Sequence, residues 1–139
     1  MPSLMVKFIH NGEEVELDIF SCSDQDLLDA GVSDPLLARL PYADYQGFLD
    51  ALEEESFYTR FVTVVAGGTK PLLAVVYTDL RAACLTPTQV PGTPQVEAGN
   101  FTGVVRSANI IDSQMTLTTE EKAEINTVSM TYLFRPIFE

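Results

Sequence analysis

Three groups of residues have types and spacings that could do chemistry. Asp24, Gln25, Asp26 and Asp29 gather oxygens in a short run, the donor set a hard divalent cation takes. The glycine and distal glutamate of an EF-hand loop are missing, so Ser23 followed by Asp26 reads instead as the cap of an acidic helix. Gly67-Gly68-Thr69-Lys70 holds fragments of a phosphate cradle. Its lysine and hydroxyl residue stand in the wrong order, and no helix is expected to follow, so it reads as a turn. His10 is the only histidine, beside a turn, without the nucleophile and orienting partner a general base works with. Cys22 and Cys84 have no metal-like spacing and read as buried free thiols. No serine lies in a glycine-rich elbow, and the carboxylates cluster on polar faces rather than in pairs within apolar runs. The expectation is a protein that is not an enzyme, with no catalytic residue, metal site or cofactor.

Charge narrows the partners. The 139 residues carry −12, from 20 acids against 8 Lys and Arg, and residues 1–60 hold 13 of the acids with 3 of the bases. Such a balance opposes phosphate backbones, whose binding rests on Lys and Arg displacing counterions, so specific nucleic-acid binding is not expected. An apolar content of 46% supports one domain, 1–139, with a real core. The opening MPSLMVKFIHNG is broken by Lys7 and does not read as a secretory signal, and no run approaches the roughly 20 apolar residues of a membrane span. Synthesis in the cytoplasm is expected, which leaves the Asn100-Phe101-Thr102 sequon without a role.

The elements that would position these residues begin with a hairpin. Asn11-Gly12 between two alternating runs predicts strands at 4–10 and 13–20. Residues 23–55 read as helix in three pieces: Ser23 to a stop at Gly31, a restart at Asp34-Pro35, and another at Pro41. In the third, Tyr42, Tyr45, Phe48, Leu49 and Leu52 share an apolar face. Its other face is acidic, and Asp50, Glu53, Glu54 and Glu55 form a candidate acidic surface at a helix end where the macrodipole prefers cations. Residues 57–80 read as a second hairpin turning at Gly67-Gly68. Both faces of it are apolar, so both need cover, one of them from another part of the chain or another subunit.

Pro87, Pro91 and Pro94 deny helix and central strand to residues 86–98 and predict an extended loop or arm, either laid on a neighbouring subunit or an ordinary surface loop. The last forty residues read as two strands around an acidic turn. Gly103 marks a bulge in the first, and alternation through Val128, Met130, Tyr132 and Phe134 marks the second, which ends at an edge near Pro136 and Phe138. The expected fold is α+β, mainly β: a β-sandwich or barrel-like sheet with a helical insert near 23–55 and a proline-rich arm near 86–98. Pro87, Pro91, Pro94, Phe101, Tyr132, Phe134, Pro136 and Phe138 are the candidate subunit interface.

The run YADYQGFLDALEEES, the stretch FYTRFVTVVAGGTKPLLAVVYTDL, NFTGVVRSANI and the closing INTVSMTYLFRPI resemble the tail-tube proteins of tailed bacteriophages. In that family a helix precedes strand pairs, and the last two strands follow aromatic-x-Gly-x-Val, an acidic turn, then polar-x-Val-x-hydrophobic. Residues 101–105 and 119–134 match this pattern. The three-part helical stretch is longer than the family's single helix, and the 86–98 arm has no counterpart in it. The resemblance implies a virion subunit assembled in the host cytoplasm. It would join copies of itself into hexameric rings stacked for DNA passage, with other virion proteins as partners and an acidic surface toward the DNA. Capsid decoration proteins, which trimerise on the shell and seat an arm on neighbours, are the nearest alternative. A soluble acidic binding module or inhibitor is the alternative of another class.

Overall fold

The computed structural model describes residues 3–90 and 92–139. Its first element is the hairpin, β1 (Met5–His10) with β2 (Glu13–Asp18), antiparallel with Phe8 opposite Val15 and Val6 opposite Leu17. Asn11 at φ 53° and Gly12 at φ 80° supply the two positive dihedrals that a two-residue turn needs to match strand twist.

The chain then enters helices α1 (Asp24–Asp29), α2 (Pro35–Arg39) and α3 (Tyr45–Leu52), with a 3-10 turn at Leu40–Tyr42. Each start is chemically marked. Ser23 and Asp26 form a reciprocal capping box, Asp34 accepts from the amides of Leu36 and Leu37 ahead of Pro35, and Asp44 accepts from Gly47 at 2.8 Å. The hairpin and α1–α2 enclose a small core of their own, Ile19, Leu27, Ala30 and Leu40, separate from the main apolar cluster. Arg39 ties it to the rest. Its guanidinium pairs with Asp24, donates to the Cys22 carbonyl at 2.7 Å, and lies 5.8 Å from the ring centre of Phe134, which stacks with Phe20.

From Ser56 onward the chain departs from expectation. The 57–80 stretch is two helices, α4 (Ser56–Ala66) and α5 (Leu72–Leu85), and the closing stretch is α6 (Phe101–Met115) and α7 (Thr119–Leu133). The described residues are 57% helix and 12% strand, in two sheets of two strands each, so the fold is neither mainly β nor a sandwich or barrel. Residues 101–105 and 119–134, which carried the tail-tube pattern, lie in α6 and, apart from Phe134, in α7.

The β-formers misled for a traceable reason. Thr63, Thr78, Thr86, Thr127 and Thr131 each turn the hydroxyl back onto the carbonyl four residues earlier, at 2.7 to 3.0 Å, which is how a β-branched residue settles inside a helix. The buried positions also follow the helical period. In α6 they are Val104, Ser107, Ala108, Ile111 and Met115, and in α7 Glu121, Ile125, Val128, Ser129 and Leu133. The apparent bulge at Gly103 is the first turn of α6, where the Asn100 side chain accepts from the Gly103 amide at 3.1 Å.

α6 begins beside the end of α5, fixed by the Asn100 amide on the Ala83 carbonyl at 2.7 Å, and the two helices pack back along each other. α3 packs against α7, with the Asp44 amide on the Tyr132 carbonyl at 2.9 Å. The main core lies between these pairs and includes Phe48, Leu52, Phe57, Leu73, Val104 and Leu133. Burying each such side chain contributes about 1.5–3 kcal/mol. After Phe134, left-handed at φ 65°, the tail folds back onto α7, where Asn126 accepts from the amides of Ile137 (3.0 Å) and Phe138 (2.8 Å) and donates to the Phe138 carbonyl (2.6 Å).

Candidate interaction surface

The residues singled out for chemistry are occupied with holding the fold. Asp24 pairs with Arg39, Asp26 caps α1, and Asp29 accepts from Gln25 at 2.8 Å. Among the described residues no three His, Cys, Asp or Glu side chains come together as a metal site. A helix does follow Gly67-Gly68-Thr69-Lys70, against expectation; the glycines end α4, with Gly68 at φ 73°, and turn the chain into α5. His10 is exposed beside Gly31, where a Cβ would meet its Nδ1 at 2.5 Å. Both cysteines are free. Cys22 is half-buried, while Cys84 is buried and its thiol is pushed up to about 12 by loss of solvent.

The acidic surface is re-set by the helix boundaries. α3 ends at Leu52 and α4 starts at Ser56, so Glu53, Glu54 and Glu55 precede the positive end of α4 as much as they follow the negative end of α3. Glu53 accepts from the Tyr77 hydroxyl at 2.8 Å and from Arg81 at 2.9 Å. Burial, then the bond to Glu53, raises the Tyr77 hydroxyl well above a free phenol. Asp50 is exposed and accepts from Gln46, and Glu54 is exposed.

The 86–98 stretch is a loop closed by a short bridge, β3 (Thr88–Gln89) with β4 (Val96–Glu97). Pro87 and Pro94 are exposed; Pro91 lies outside the described residues. The loop is fastened to its own chain by Glu97, which is buried and accepts from Tyr45 and Arg135. Arg135 in turn lies 3.9 Å over the Phe101 ring. Desolvation first, then Glu97, raises the Tyr45 hydroxyl far above its ordinary value. Tyr132, Phe134 and Phe138 are likewise half-buried against their own chain, on Gly47, Phe20 and Lys122 respectively, and Pro136 is exposed. Of the proposed interface residues, Phe101, Pro136 and Phe138 line one groove, between α6 and the C-terminal tail.

A different surface stands out. Along α4 and α5 one side is inside, at Phe57, Phe61, Leu73, Val76 and Leu80, and as far as Thr78 the exposed residues of both helices are apolar or uncharged, with Asp79 and Arg81 following. Val62 is 46% exposed, Leu72 47% and Val75 56%, with Thr59, Ala66 and Ala74 exposed around them. From Ser56 to Thr78 the chain carries no acid at all, in a protein of net charge −12. The sequence reading asks for cover on both faces of this stretch; in the structure the inner face is packed and the outer one is exposed. Of the two helices, α4 has a distinct apolar face, while α5, rich in Val, Leu and Ala on both sides, is only weakly amphipathic.

Comparison with protein-family models, curated proteins and solved structures finds no match. Among the described residues no helix is long and apolar enough to cross a membrane.

Proposed function

We propose that this protein is a structural subunit that acts by assembling with copies of itself, and that its setting is a phage virion. The observation that carries the reading is the α4–α5 pair, apolar inside and charge-poor outside. An exposed apolar face of this kind marks a surface built for a partner. In this reading assembly runs through packed helices and not through the strand edges of a β-sandwich. The acids are concentrated in residues 1–60, and the stretch from Ser56 to Thr78 has none.

Light scattering on the full chain at rising concentration tests this. A mass that climbs to a multiple of 15.3 kDa is expected; a monomer at every concentration would sink the proposal. The uneven charge favours a second reading, a soluble acidic module that binds a basic protein. Capture of one basic partner at defined stoichiometry, by a chain that stays monomeric, would replace the first reading with this one.

A further inference from the structure

The outer face of α5 has an internal order that specifies how a second copy would sit on it. Leu72, Val75, Asp79, Ala82 and Thr86 follow one another at spacings of three, four, three and four, the seam of a helix pair, and all five are exposed. The seam is graded: its two large residues lie at one end, its two small ones at the other, and a carboxylate is in the middle. Laid antiparallel on itself about Asp79, it sets Leu72 against Thr86 and Val75 against Ala82, large into small at every apolar position. A parallel pairing would set Leu72 on Leu72 and Thr86 on Thr86, and would match nothing.

Two aspartates would meet at the centre of the antiparallel pair, which alone is repulsive. The groove beside the seam answers this. Its wall from α6 carries Arg106, and Asp79 lines the same groove from α5. Among the described residues neither charge has an ion-pair or hydrogen-bond partner. The residues between them are mostly small, Ala82, Ala83, Gly103 and Ser107, and a Cβ on Gly103 would lie 3.0 Å from that of Ala83, so α5 and α6 approach closely there and leave the groove without large side chains between the two charges.

We propose that two copies pair through α5, antiparallel about a two-fold axis at Asp79, each Arg106 facing the partner's aspartate so that four charges alternate in sign around the axis. A two-fold contact repeats each pairing twice, so one complementary pair suffices to close it. At 1.5 Å per residue the 14-residue helix offers about 21 Å of seam, a small contact with a dissociation constant in the micromolar range. This rests on the self-assembly reading and names its contact.

The test is crosslinking of the full chain with Cys22→Ser as background, since Cys84 is buried. A disulfide requires Cα atoms within roughly 7 Å, which only a residue at the axis meets against its own copy. Asp79→Cys is expected to give a covalent dimer under mild oxidation and Leu72→Cys none. In light scattering, Asp79→Arg and Arg106→Asp are each expected to weaken the dimer at least tenfold, and the double swap to restore it. A monomeric parent protein overturns both this inference and the assembly reading. A parent that assembles but gives no Asp79→Cys dimer, that crosslinks equally at Leu72→Cys, or that the double swap fails to restore, overturns the inference alone.

Discussion

Replacing Arg60 by leucine should release the turn between α6 and α7 and measurably destabilise the whole chain. Arg60 lies on α4, yet its guanidinium grips Glu121 through Nε at 2.9 Å and Nη2 at 2.7 Å. It also donates to the carbonyls of Met115 at 3.2 Å and Thr116 at 3.4 Å. Those carbonyls end α6, where Thr116 is left-handed at φ 52°, and Glu121 is the return arm of the capping box that starts α7. One side chain thus satisfies the end of one helix and orients the start of the next. Breaking a fully buried pair by removing one partner costs about 3–5 kcal/mol. The Glu121 side chain is 9% exposed but that of Arg60 is 39%, so solvent screens part of the interaction, and about 2 kcal/mol is the discounted figure. At roughly 0.3 kcal/mol per kelvin of unfolding entropy for a chain of this length, that lowers Tm by about 7 °C.

The same pair sets a pH signature. The Arg60 contact, with smaller help from Thr118, holds the Glu121 carboxyl below its ordinary range. A depressed folded value means that the stabilisation is present above the unfolded carboxylate value and is lost as pH falls through the folded one. In Arg60→Leu that loss on acidification should shrink. Thermal unfolding followed by far-UV circular dichroism at pH 7 and pH 3, on Arg60→Leu, Glu121→Gln and the double variant, reads all of this. Single variants whose effects add within about 0.3 kcal/mol would refute the clamp, because residues in contact are expected to couple.

Three further outcomes are expected. Asn126→Leu removes the three bonds that Asn126 makes to Ile137 and Phe138, so those two amides should exchange at least tenfold faster with little change in far-UV spectrum; unchanged exchange would place the anchor elsewhere. Gly99→Ala would set a Cβ 2.8 Å from the Cys84 carbonyl and 2.7 Å from the Tyr45 ring, and since the carbonyl is backbone the strain should cost about 1–3 kcal/mol in chemical denaturation. Cys84, its thiol near 12, should resist iodoacetamide in the folded protein while Cys22 reacts, giving one adduct by mass spectrometry under native conditions and two in denaturant. Two rapid adducts on the native protein would contradict the packing of α5.

Where the sequence carried a backbone instruction, it was legible. Asn11-Gly12, Ser23 with Asp26, Asp34-Pro35 and the apolar face of α3 each impose a local geometry that little else in the chain can override. The closing stretch carried such an instruction too. Thr118 and Glu121 have capping-box spacing, and the 104, 108, 111, 115 and 121, 125, 128 series have the helical period. The alternation of Val128, Met130 and Tyr132 competes with that period over a short window, and the high Thr and Val content favours the wrong side.

The sequence by itself determined the hairpin, the capped starts of α1 and α2, the apolar face of α3 and the uneven charge, while the third helix starts at Tyr45 rather than at Pro41. Only the tertiary structure decided that the 57–80 stretch is helical, and in the closing stretch it settled the competition between the two periods, because threonine and valine accept either backbone and the choice falls to whichever packing buries Leu73, Val104 and Leu133 together. Tertiary structure alone also decided which charges are spent and which are free. Arg39, Arg60, Arg81 and Arg135 find carboxylates far away in the chain, while Asp79 and Arg106 face a shared groove without one. Spacing along a chain cannot report such distances, since they exist only once helices remote in sequence lie side by side.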